Sequence, residues 1–110
     1  MTTLTELQEE LVPFQKNNFP NRENWEPLVG LTEEVGELSH AFLKAHQNIR
    51  GTKDEYRIEA MDAVGDILIF LADFCNAAGY DMQRCLDNTW AVVRHRTWVA
   101  IPDIADLPSD

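Results

Sequence analysis

Five carboxylates fall into two clusters at helical spacing: Glu33, Glu34 and Glu37 within LTEEVGELSH, then Asp62 and Asp66 within EAMDAVGDILIFL. Like charges three or four positions apart on a helix each cost roughly a few tenths of a kcal/mol. Asp66 also interrupts an apolar run, where an unpaired charge is expensive to desolvate. Acids kept at such a cost are best explained by a bound cation. Hard oxygen donors favour Mg²⁺, or Mn²⁺, over zinc or copper. An ion held by carboxylates can bridge to phosphate oxygens, orient them and lower the pKa of an attacking water. The expected chemistry is phosphate handling at a magnesium site.

Charge narrows the partners. With 9 Lys+Arg against 19 Asp+Glu and a formal net charge of -10, the 110-residue chain lacks the basic footprint that nucleic-acid binding requires. A divalent metal reconciles an acidic chain with a phosphate ligand. No uncharged apolar stretch approaches the roughly 20 residues of a membrane helix. The opening MTTLTELQEE has no basic region leading into a hydrophobic core, so no secretory signal is expected. The expectation is one cytoplasmic domain in which Cys75 and Cys85 are reduced thiols. Cys75 lies on an apolar stripe and reads as a small core residue.

The elements that must position the acids are helices. Apolar residues follow helical periods almost throughout, and no alternating strand pattern competes. Thr3 with Glu6 reads as a capping box opening a first helix, which Pro13 interrupts or bends. NNFPNREN is a loop. A second helix is expected from near Trp25 to about Gln47, with Pro27 tolerated in its first turn and Gly51 as the stop. Thr52 with Glu55 is a second capping box, opening a third helix from about Lys53 to Ala78. Asp81 caps a fourth, running to about Trp98.

The second and third helices share a register. Leu28, Leu31, Val35, Leu38, Phe42 and Ala45 alternate steps of three and four, as do Met61, Val64, Leu68, Leu71, Cys75 and Ala78. A hairpin turning near Gly51 sets Leu38 against Val64 and Phe42 against Met61, with Glu34 and Glu37 level with Asp66. Glu33, Glu37, His40, Glu59, Asp62, Asp66 and Asp73 all point away from that seam, which is also how solvated faces look. A further apolar stripe, Ile67, Phe70, Phe74 and Ala77, makes the third helix apolar over most of its circumference, so homo-oligomerisation is expected. Gly36 and Gly65, each costing about 1 kcal/mol against Ala in a helix, suggest close helix approach beside the acids.

EExxE alone is common on solvated helices; two clusters at one height are a stronger signal. Glu37 and His40 form an E-x-x-H pair of the kind di-iron bundles use, but no second copy exists. No serine or cysteine nucleophile arrangement and no glycine-rich phosphate loop is present. Arg50, Lys53 and Arg57 surround the hairpin turn. Arg94 and Arg96 close the fourth helix, where they either complement its C-terminus or reach phosphate by folding back along the hairpin.

Together these residues resemble the MazG-like nucleotide pyrophosphohydrolases, an all-α superfamily whose pattern is EExxE on one helix and ExxD on the next. LTEEVGELSHAFLK supplies the first half and DAVGDILIFL the second; the similarity spans roughly residues 10 to 98, including NFP, QNIRG and TWAVVRHRTW. The glutamate of ExxD falls at Ala63, so Asp62 is expected to take over as ligand, or fewer ions are bound. The resemblance implies a four-helix MazG-like domain over 1–99 around a central antiparallel hairpin, an extended acidic tail over 100–110, and a homodimer or homotetramer. It implies Mg²⁺-dependent hydrolysis of a nucleoside triphosphate to monophosphate and pyrophosphate. Glu34, Glu37, Asp62 and Asp66 are then the metal ligands, with Glu33 orienting or deprotonating water. Lys44, Arg94 and Arg96 are expected to meet phosphates, and Phe19, Trp25 or Trp90 to stack on the base. The other classes are a catalytically silent helical oligomer that binds nucleotides or regulates, and a carboxylate-bridged iron or manganese protein.

Overall fold

Local capping chemistry sets most helix boundaries. The structure, a computed structural model, describes residues 1–97, and among these it holds four helices and no strand. Helix α1 spans Leu4–Asn18; the Thr3 hydroxyl accepts from the Glu6 N–H at 3.1 Å and donates to the Glu6 carboxylate at 3.0 Å. Pro13 lies inside α1 without ending it. Helix α2 spans Glu26–Gln47 with Pro27 in its first turn, and α3 spans Lys53–Ala78 behind Thr52, whose hydroxyl accepts from the Glu55 N–H. Gly79 ends α3 at φ 77°, a left-handed conformation that glycine adopts at little cost.

Two expected boundaries differ. Asn48, not Gly51, ends α2: it takes the left-handed conformation at φ 57° while its N–H reaches the Lys44 carbonyl, a role asparagine fills with little strain. Helix α4 spans Met82–Val93, capped by Asp81, and stops short of the expected Trp98. There His95 N–H reaches Val92 O and Arg96 N–H reaches Val93 O, three-residue spacings that tighten and close the last turn. Trp98 and the tail expected over 100–110 lie outside the described residues.

Helices α2 and α3 form a hairpin joined by residues 48–52, and α1 packs against α3 with α4 beside it. Leu11, Ala72, Cys75 and Met82 make the core of that end, with Leu4, Leu7 and Leu71 against it. Gln8 fastens the same end: its amide nitrogen donates to Asn76 Oδ1 and to the Tyr80 carbonyl, and its oxygen accepts from the Met82 N–H.

Helices α2 and α3 pack as the expected hairpin, with Gly30 against Phe70, but the large apolar residues do not fill its interface. Ala41 and Ala63 are buried, whereas Phe42 and Met61 are 73% and 68% exposed, with Leu28, Val35, Val64 and Leu68 also exposed. Helix separation follows the side chains at the contact; alanines let the backbones approach, and the large residues are displaced to one flank. At about 100° per residue, Leu28, Val35 and Phe42 lie nearly opposite Glu33, Glu37 and His40 on α2. Met61, Val64 and Leu68 are likewise turned well away from Asp62 and Asp66 on α3. The hairpin thus has an acidic side and an apolar side.

The glycine expectation is corrected too. A Cβ on Gly36 or Gly65 would meet nothing within 4 Å, so neither marks a close approach. Gly30 does: a Cβ there would run into the Phe70 ring. Asp73, expected on a solvated face, is 1% exposed and forms a bidentate ion pair with Arg22 from the connection between α1 and α2.

Candidate functional site

A groove of about 610 Å³ runs along the acidic side of the hairpin. Glu33, Gly36, Glu37 and His40 line it from α2, and Glu59, Asp62 and Ala63 from α3. Gly36 keeps its wall open, since no side chain projects where nothing else stands. One turn further along α3, Asp66 lines a second cavity of about 760 Å³, walled by Leu11 and Phe14 of α1, Phe19 of the connection, Pro27 of α2 and Phe70 of α3. Asp62 on the acidic groove and Asp66 on the largely apolar cavity thus stand one turn apart on α3.

Glu34, on α2, is half-buried. Its Oε2 is buried without a hydrogen-bond partner. Burial pushes its carboxyl above the ordinary value; the charges of Glu37, Asp66 and Asp62, in that order, and a side-chain hydrogen bond shared with Glu37 push it further. Charges from both sequence clusters thus act on Glu34. The salt bridges found among the described residues, Arg22–Asp73 and Arg57–Asp54, lie elsewhere.

Among the described residues, no three His, Cys, Asp or Glu side chains stand close enough together to hold an ion as they lie. This arrangement does not suit a closed zinc cage. Mg²⁺ dehydrates reluctantly, keeps several waters and can be held by one or two carboxylates together with substrate phosphates. The all-oxygen donor set and the unpartnered buried Glu34 oxygen fit that ion.

The other expected contacts are dispersed. Phe19 lines the apolar cavity. Trp25, at the start of α2, is more than half exposed and lines neither cavity. Lys44 continues the Glu33, Glu37, His40 face of α2 toward the turn, its ammonium donating to Gln47. Arg94 and Arg96 follow α4, which packs on α1, and neither lines the groove or the cavity. Trp90 is exposed on α4.

The residues that sequence reasoning missed are Gln15, Arg22, Glu26 and Phe70, all lining the cavity. The close spacing of Phe14, Phe19 and Pro20 was the available signal, but it reads equally as a loop. Ala63, which stands where the family pattern has a carboxylate, is buried in the hairpin interface, whereas neighbouring Asp62 is exposed on the groove wall. No family model, curated protein or solved structure matches this chain.

Proposed function

We propose that this protein is a Mg²⁺-dependent nucleoside triphosphate pyrophosphohydrolase of the MazG-like kind, cleaving its substrate to a monophosphate and pyrophosphate. The observation that carries the reading is the buried Glu34 oxygen without a hydrogen-bond partner, among acids of both helices and with a cavity large enough for a nucleoside on the same hairpin. One or two at a time of Glu34, Glu37, Asp62 and Asp66 would hold Mg²⁺ together with the substrate phosphates, and the ion would supply charge neutralisation there and a more acidic water. The chain's own part is to orient the triphosphate along the groove. Glu33, on the groove wall, positions a water for attack, and Lys44 meets the outer phosphates.

The test is a screen of canonical and damaged nucleoside triphosphates with Mg²⁺, measuring pyrophosphate. Release from none of them, with the protein folded, removes the enzymatic reading. Ala63 favours a second reading, a silent nucleotide-binding module; calorimetry with a non-hydrolysable triphosphate separates it, since that module binds without turnover. If Asp62 replaces the missing carboxylate, Asp62→Ala raises the Mg²⁺ concentration needed for half-maximal release by about 10-fold or more. An unchanged Mg²⁺ titration excludes Asp62 as a ligand.

The reading extends to a second copy of the chain on the apolar side of the hairpin. Phe42, Met61, Val64, Leu68, Val35 and Leu28 make an uncharged exposed face on an acidic molecule, and contiguous apolar patches of this kind mark association sites. Two hairpins packed back to back leave both acidic grooves facing outward. Phe42→Glu should convert the assembly to monomer in sedimentation velocity, with helicity retained. A wild-type protein that sediments as a monomer at micromolar concentration ends this part of the proposal.

A further inference from the structure

Four carboxylates line the groove on the acidic side, Glu33, Glu37, Glu59 and Asp62; among the described residues lining it, the one side chain that carries a donor is His40. A triphosphate offers acceptors throughout. Mg²⁺ satisfies the oxygens it binds and offsets the acids that hold it, whereas phosphate oxygens further along the groove need an N–H. Imidazole supplies one at any pH, since the neutral ring carries one N–H and the charged ring two. His40 is exposed, and its ring joins no hydrogen bond or ion pair among the described residues. Lys44, the next donor along this face, gives its ammonium to Gln47. Glu33, Glu37, His40 and Lys44 follow at steps of four, three and four, which keeps them on one face of α2. The proposed ligands Glu34 and Glu37 precede His40 on α2, and Asp62 and Asp66 lie on α3 beyond Glu59. His40 therefore stands at the end of the groove nearer the turn, between the acids and Lys44. With the outer phosphates toward Lys44, the pyrophosphate half of a substrate lies there.

We infer that the His40 ring N–H binds the pyrophosphate half of the substrate and stabilises the charge which that half acquires as it leaves. The inference rests on the function proposed above and adds a catalytic residue to it. Water bonds to the α-phosphorus while the bond from that phosphorus to the α–β bridging oxygen breaks. The electron pair of the broken bond departs with the pyrophosphate, and the water's proton passes to solvent. His40 transfers no proton in this step. It keeps one hydrogen bond that tightens as charge builds on the leaving group, so the contact is stronger in the transition state than in the bound substrate.

The experiment measures kcat and KM for the best triphosphate of the screen above, with Mg²⁺, in wild type, His40→Leu, His40→Asn and His40→Gln. Calorimetry of inorganic pyrophosphate and of the matching nucleoside monophosphate, each with Mg²⁺, runs beside it. His40→Leu should lower kcat/KM by about 10-fold or more, chiefly through kcat. Asn and Gln place an amide N–H near the positions of the two ring nitrogens, so one of them should recover activity to within about threefold of wild type. Pyrophosphate should bind His40→Leu about 10-fold more weakly, with the monophosphate bound as by wild type. A leucine variant that matches wild type, a loss that neither amide repairs, or equal weakening toward pyrophosphate and monophosphate overturns the inference and leaves the hydrolase standing. If no triphosphate is cleaved but His40-dependent pyrophosphate binding persists, the hydrolase reading falls and the phosphate contact holds. Absence of both ends the inference.

Discussion

Replacing Glu37 with Gln or Asp66 with Asn should reduce Mg²⁺-dependent pyrophosphate release by at least about 100-fold with the far-ultraviolet circular dichroism unchanged. Both substitutions keep size and remove one negative charge from a crowded field, so neither threatens the helices. Undiminished turnover in both variants eliminates the site. Glu34 gives the same argument a second readout that does not depend on turnover. In the metal-free fold its carboxyl keeps its proton above the ordinary value of 4.5, whereas the unfolded chain releases it there. Between the two values the folded state binds more protons, so stability falls as pH rises through that window. Below it the penalty is absent; above it the penalty is complete.

Magnesium reverses the relation, because a carboxylate ligand must be deprotonated and binding therefore strengthens as pH rises. Glu34→Gln should raise the metal-free Tm at neutral pH, flatten its fall between acid and neutral pH, and remove the increment that Mg²⁺ gives the wild type. Differential scanning fluorimetry across pH, with and without Mg²⁺, measures all three. A variant that melts with the wild type and still gains from Mg²⁺ means that the buried oxygen serves something other than a cation.

How much of this was legible in the chain depends on the range of each interaction. Thr3, Thr52 and Asp81 were readable as caps because the bond they make is to a residue three positions on. The hairpin register was readable because the apolar periods of α2 and α3 run at the same steps, and Gly30 against Phe70 falls where that register puts it. The side of the hairpin that closes was not. Leucine, valine and phenylalanine dominate a hydrophobic pattern, yet Ala41 and Ala63 make the interface, since close backbone approach requires small residues and leaves large ones outside. The acids were readable as two clusters, and their mutual field on Glu34 accords with that. The apolar cavity was not, because α1, the following connection and α3 reach it from distant parts of the chain. Arg22 and Asp73 were opaque for the same reason: fifty-one positions separate them, and Asp73 sits at a helical angle shared with the solvated acids.

That ion pair carries the largest expected effect on stability. Arg22 places both terminal nitrogens on the two carboxylate oxygens of Asp73, which is almost fully buried, while the arginine side chain keeps 21% of its exposure. Removing one partner of a buried pair leaves a charge without compensation and costs roughly 3–5 kcal/mol. Partial exposure of Arg22 places Arg22→Met toward the lower figure, about 3 kcal/mol, or a fall in Tm of more than about 10 °C for a domain of this size. The double variant Arg22→Met with Asp73→Leu should recover most of that loss, because replacing such a pair with apolar residues is often neutral or better. Recovery distinguishes an uncompensated charge from a simple loss of packing. The pair also anchors the connection that carries Phe19 to the cavity wall, so at temperatures where the single variant remains folded its KM for nucleotide should rise with kcat less affected. A single variant melting within a degree or two of wild type would show that the connection is held by its apolar contacts, and that the cavity wall does not depend on this pair.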